Sequence, residues 1–243
     1  AIYVLMNTNS SQMAGGGYET IFLAPPNPLI ALIGTLVIFL IVVFLESSRI
    51  ELPLSHGNAR GARGRYPIKL MYASNIPVIL MSALLANVSM IALLLYSNSA
   101  LSGIPLLGHN EVIGMFHAGQ TSATGGIAWY LSSPQGLTAW LMPILDPMNY
   151  GNGHTALQNI CHVAIYFTVM VMGSIMFAKF WVETTNLGPE AVANQIQKSG
   201  MQIPGFRRDP RVLKRVLERY IPTITVLSGA LIGSLAAFAD MIG

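Results

Sequence analysis

Four stretches of the chain are apolar and free of charge over roughly the length of a membrane crossing. Residues 28–45 hold no charged side chain, and with its flank this first segment is read as a span over 28–48. The second is read over 71–96 and the third over 155–178. The fourth has its apolar body at 221–239 and is read to 242. A hydrocarbon core about 30 Å thick takes about 20 helical residues. At that depth a helix satisfies its own backbone, and a strand does so only in a closed barrel. The pattern therefore predicts an all-α membrane protein with four transmembrane helices. A further uncharged stretch, 126–145, is interrupted by Ser132-Ser133-Pro134-Gln135-Gly136. That is a turn signal, so this stretch is read as folded-back chain and not as a fifth span.

The charged residues divide along the chain. Arg49, Arg60, Arg63, Arg65 and Lys69 stand between the first two spans. Lys179, Lys198, Arg207, Arg208, Arg211, Lys214, Arg215 and Arg219 stand between the last two. Four spans put both basic stretches on one side, whereas a fifth would separate them. Lysine and arginine collect on the cytoplasmic side, so the loops 49–70 and 179–220 are assigned there. The other segments carry only Glu19, Glu111, Asp146 and Asp240. The segment 97–154 and both ends of the chain are accordingly placed outside.

Composition agrees. Of 243 residues, 9% are charged and 53% hydrophobic, with a mean hydropathy of +0.55; soluble domains hold about 25% charged residues. One cysteine, Cys161, leaves no intrachain disulfide and no cysteine-rich metal site. The chain opens at Ala1 on an apolar stub to Met6, without the positive n-region of a signal peptide, and stops in an apolar segment. It is read as a piece of a larger or split protein.

Within the second loop, Pro189 and Gly200 bracket a short helix over 189–199. Asp209-Pro210 opens another. Val212, Leu213, Val216, Leu217 and Tyr220 recur on one face and the basic residues on the other, so an amphipathic helix runs into the fourth span at Pro222.

Candidate chemistry is sparse. HExxH, GxSxG, P-loop and GxGxxG patterns are absent. His109, Glu111 and His117 are close in sequence, but their spacing matches no known ligand set, and they read as polar loop residues. Gly57, Gly61 and Gly64 among the arginines read as a flexible basic loop, since no strand is expected before them. No charge falls inside a span; Glu46, Lys179 and Asp240 stand at span ends. An ion-coupled pump would need charges within.

The second span is more informative. At about 100° per residue, Asn75, Ile79, Ser82, Ala86 and Ser89 share one face, small and polar except for Ile79. Such a face suits close helix packing, or a water-filled path narrowed at Ile79. Pro77 is expected to bend or loosen this helix. Gly229 and Gly233 form a GxxxG pair, which suits packing. The basic loops set topology, and their clusters also suit an anionic partner: lipid head groups, ribosomal RNA or an acidic protein surface.

Several stretches then point to one family: Pro53-Leu54-Ser55-His56-Gly57, Arg65-Tyr66-Pro67-Ile68-Lys69, Ser74-Asn75-Ile76-Pro77-Val78-Ile79-Leu80, Gly126-Ile127-Ala128-Trp129-Tyr130-Leu131-Ser132, Phe180-Trp181-Val182-Glu183-Thr184-Thr185, Gly205-Phe206-Arg207 and Arg219-Tyr220-Ile221-Pro222. In this order and spacing the chain resembles the archaeal SecY family of protein-conducting channels. The resemblance implies spans six to nine of a ten-helix channel. Ile79 matches the residue that this span gives to the hydrophobic pore ring, and Asn75 and Ser82 are candidates for the lateral gate. Arg60, Arg63, Arg65, Lys69, Arg207 and Arg208 fall in loops that dock the ribosome, or the SecA motor in bacteria.

The expected function is a non-enzymatic conduit, without cofactor or metal, in the plasma membrane. It would carry unfolded polypeptides across and release transmembrane segments into lipid. The expected partners are spans one to five and ten, a SecE-type small subunit with or without a third one, the ribosome, signal sequences, nascent polypeptides and membrane lipid. The alternative is a solute transporter fragment or an intramembrane enzyme, which would show a polar or catalytic site at mid-span.

Overall fold

The computed structural model describes residues 28–56, 63–97, 112–117, 120–198, 201–202 and 210–243. Four of its helices are long and apolar enough to cross a membrane. They are α1 (Pro28–Ser47), α2 (Ile76–Ser97), α7 (Ala156–Thr184) and α9 (Pro210–Ile242). Short helices stand between α2 and α7: α3 (Gly126–Leu131), α4 (Leu137–Trp140), α5 (Met142–Leu145) and α6 (Pro147–Tyr150). The stretch 126–145 is thus broken at its turn signal, between α3 and α4, and again at Leu141, between α4 and α5. Between α7 and α9 lies α8 (Pro189–Lys198).

On α1, Leu36, Phe39, Leu40 and Phe44 are each more than half exposed. A helix that is apolar on all sides belongs in a large core or in lipid. In α2, Pro77 occupies the second helical position. The first turn has no intrahelical partner for its N–H groups, so proline is tolerated there, and the helix runs unbroken from Ile76 to Ser97. Asn75 precedes the helix and its carbonyl accepts from the N–H groups of Val78 (3.2 Å) and Ile79 (3.3 Å). Residues 71–75, read as part of the span, form a turn with Ser74 at φ +58°.

The chain divides into two compact units. One comprises Leu40–Leu80 and Val171–Gly233. Strands β1 (Arg49–His56) and β2 (Arg63–Lys69) pair antiparallel from Arg49↔Lys69 to Ser55↔Arg63. β5 (Met201–Gln202) joins the other edge of β1 through Ser55↔Gln202 and His56↔Met201. A strand therefore does end at His56, immediately before Gly57, contrary to the reading of that glycine-rich stretch as strandless. Val192, Ala193 and Ile196 on one face of α8 bury against Val182, Leu213, Leu217 and Ile221. The Tyr72 hydroxyl donates to the carbonyl of Leu187 at 2.6 Å, and Lys214 pairs with Glu190 at 2.9 Å across an exposed edge. The helix α9 continues through Pro222 at an exposed position, so the amphipathic helix and the fourth span are one element.

The glycine pair of α9 packs against α7 in the same unit. A Cβ on Gly229 would stand 3.0 Å from the Cβ of Ala178 and from the Cα of Ile175. Small residues are what allow such an approach.

The other unit comprises Ala1–Phe39, Met81–Met170 and Ser234–Gly243. Strands β3 (Met115–Phe116) and β4 (Ala123–Gly125) form a short antiparallel pair. Ala92 of α2, Phe116, Ala123, Ala128 and Trp129 make its core. Tyr96 at the end of α2 meets Phe116, with ring centroids 5.7 Å apart.

Candidate functional site

The second unit encloses an open cavity of about 540 Å³ beside α2. Its wall on α2 is formed by Ser82, Leu85, Ala86 and Ser89. Met81 and Ala92 are buried on a neighbouring stripe, and Leu85, also buried, stands between that stripe and the cavity. Ile79 is 61% exposed and Asn75 is exposed. By the helical period, Ile79 leads the row that Ser82, Ala86 and Ser89 continue.

Facing α2 are Thr121, Ser122 and the turn 131–135, and the remaining wall comes from His162, Tyr166 and Asp240. The turn is held from α7: Nε2 of His162 donates to the carbonyl of Ser132 at 2.9 Å. Trp129 lies between two imidazoles, stacked on His154 at 4.0 Å and tilted against His162 at 4.2 Å. Nε2 of His154 donates to the carbonyl of Thr124 at 3.1 Å. Asn152 donates to the buried Asn159 at 2.9 Å.

The last turn of α9 leaves carbonyls without helical partners. Two find donors in the folded-back segment: Gly136 N–H meets the carbonyl of Asp240, and the indole N–H of Trp140 meets that of Met241, each at 3.1 Å. Gly136 sits at φ +83°, where a side chain would be strained. The hydroxyl of Tyr166 donates to the carboxylate of Asp240.

These fastenings were missed in the sequence, although a signal was present. Asn159, His162, Tyr166, Met170, Ser174 and Ala178 recur every three or four residues, and all are buried. Met172, Met176 and Phe180 on the same helix are exposed. Polar side chains inside and apolar ones outside invert the pattern of a soluble helix, as suits a helix in lipid.

Of the candidate docking residues, Arg63, Arg65 and Lys69 stand at alternate register positions of β2, with Lys69 exposed. Arg60, Arg207 and Arg208 lie outside the described residues, as do His109 and Glu111. Among the described residues no group of His, Cys, Asp and Glu is placed to hold a metal ion.

Four long apolar helices, with a folded-back segment between the second and third of them, define a multi-spanning membrane protein. The SecY family model matches residues 3–243, and the chain belongs to the SecY family. It is 46% identical over 229 residues to protein translocase subunit SecY of Haloferax volcanii, an alignment covering 93% of this chain and 43% of that protein. The chain thus spans less than half the length of that relative and corresponds to the C-terminal half of an archaeal SecY.

Two solved structures are similar. One concerns the SecY plug domain, which stabilises the closed state of the translocation channel and maintains a membrane seal; it matches with a TM-score of 0.64 at 36% identity over 94% of this chain and 51% of its own. The other is Sec61 in the canine ribosome-channel complex from the endoplasmic reticulum, with a TM-score of 0.57 at 33% identity over 92% of this chain and 50% of its own.

Proposed function

We propose that this chain forms part of a protein-conducting channel that passes unfolded polypeptides across the plasma membrane and releases transmembrane segments into it. The observation that carries the reading is the face of α2, where Ser82, Ala86 and Ser89 border open space beside a packed stripe that holds Met81, Leu85 and Ala92. Hydroxyls and a methyl group give a wall that binds no particular sequence, as a conduit for many polypeptides requires. Ile79 belongs to a ring of apolar side chains at the constriction. Such a ring seals by dewetting when empty and deforms around a passing chain. Asn75 and Ser82 line the lateral gate.

The spans are carried by α1, α2, α7 and the apolar part of α9, the sixth to ninth of ten. Loops 49–70 and 179–220 face the cytoplasm; 97–154 and both ends of this segment face outward. Arg60, Arg63, Arg65, Lys69, Arg207 and Arg208 dock the ribosome, whose RNA offers phosphate to guanidinium groups. Its structural neighbour Sec61 occurs in a ribosome complex, which supports this role. The assembly includes the other spans, a SecE-type small subunit and, in some forms, a third. It is a conduit and not an enzyme, and the driving energy comes from the bound partner.

The seal is tested by ion conductance of the assembled channel in a planar bilayer. Ile79→Gly is expected to raise the resting conductance several-fold over the parent channel. A resting conductance equal to the parent's would remove Ile79 from the constriction.

A further inference from the structure

The unit holding the cavity contains no lysine or arginine, and its acidic residues are Glu19, Glu111, Asp146 and Asp240. Asp240 is the one that lines the cavity. It also lines a second cavity of about 480 Å³, bordered by Gly34, Thr35 and Ile38 of α1. Ser133 and Gln135 reach both spaces. Its carboxylate accepts a hydrogen bond from the buried Tyr166, which fixes the direction of the group.

The position is electrostatically unfavourable. Asp240 is in the last turn of α9, where the helix dipole is negative and favours cations. The unit supplies no lysine or arginine to offset it, and Nε2 of His162 on the cavity wall is engaged by the carbonyl of Ser132. An ionisable group kept in such a place near a membrane marks function, with a partner of opposite charge. The hydroxyl and amide side chains around it suit a group that stays partly hydrated.

We propose that Asp240 is a docking point for a protonated amine or guanidinium, which a lysine or arginine of the polypeptide in transit brings to it. Tyr166 is its positioning residue. The inference rests on the channel reading, because the same cavity is walled by the Ser82–Ser89 face. A fixed basic side chain elsewhere in the channel assembly would satisfy the same chemistry, and the two sources behave differently.

The test uses the complete channel assembly in proteoliposomes, at equal assembled amounts of wild type, Asp240→Asn, Asp240→Glu and Tyr166→Phe. The substrates are one secretory polypeptide carrying a run of lysines, of glutamines or of glutamates. In the wild type the lysine run is expected to cross roughly threefold more slowly than the glutamine run, the scale of a partly exposed ion pair. Asp240→Asn brings that ratio to one, Asp240→Glu keeps it, and Tyr166→Phe reduces it. These results support docking of the moving chain. If Asp240→Asn slows all substrates by one factor and Asp240→Glu restores them, the cation is a fixed side chain. Rates and ratios unchanged in Asp240→Asn overturn the proposal. Failure of every substrate to cross in wild-type vesicles overturns the channel reading beneath it.

Discussion

A Cβ on Gly233 would stand 2.9 Å from both the Cβ and the Oγ of Ser174 and 3.1 Å from the Cα of Val171. The missing methyl group lets α9 lie directly against α7. The glycine pair was legible in the sequence because its four-residue spacing puts both on one helix face. Its partner was not legible, since a helix face does not say what it meets. Ser174 is fully buried, and its hydroxyl finds no partner among the described residues. Gly233→Val is expected to destabilise the protein by about 1–3 kcal/mol, the usual cost of overpacking. Ser174→Ala removes an unsatisfied polar group, and its expected effect is neutral to stabilising. Thermal unfolding of the detergent-solubilised assembly measures both. A Gly233→Val protein melting with the parent would contradict the packing.

At the scale of elements, the long helices were legible because apolar runs without charge leave the backbone few choices in lipid. Their ends were less so for α7, which reaches Thr184 past its apolar run, whereas the start of α9 at Pro210 was legible from Asp209-Pro210 and the helical period that follows. The extension of α7 is held by packing of α8 and the start of α9, which hydropathy does not register. The hairpin β1–β2 was missed. Its strands are short and carry Pro53 and Pro67, and proline argues against a strand unless it sits at an edge. The pairing with β5 joins residues far apart in sequence. In the folded-back segment, Trp129 is the anchor, buried and held between two imidazoles. Trp129→Ala is expected to cost about 3–5 kcal/mol locally. Limited proteolysis from the outer face should then cut residues 112–154 much faster than in the parent. His154→Ala keeps one imidazole on the indole, and its cleavage rate should fall between the two.

For the whole molecule, every lysine and arginine falls in the unit formed by Leu40–Leu80 and Val171–Gly233, and none in the other. A charge division of this kind orients a membrane protein, and it concentrates cations for an anionic partner. The combined variant Arg60→Glu and Arg207→Glu is expected to weaken ribosome binding by the assembled channel and to flatten its salt dependence. Equal binding across a salt titration would remove these loops from the docking surface. The central claim is that polypeptide passes along one face of α2. Of its five positions, the sequence placed all on one side by helical period; which side stays open follows from the packing of Met81, Leu85 and Ala92. The most direct measurement places a photoreactive side chain at successive positions of α2 in the assembled channel and arrests a polypeptide in transit. Crosslinks to the polypeptide should appear at residues 79, 82, 86 and 89 and be lacking at 81 and 92. Crosslinks without that helical period, or only to lipid and neighbouring subunits, would contradict the assignment of this helix as a channel wall.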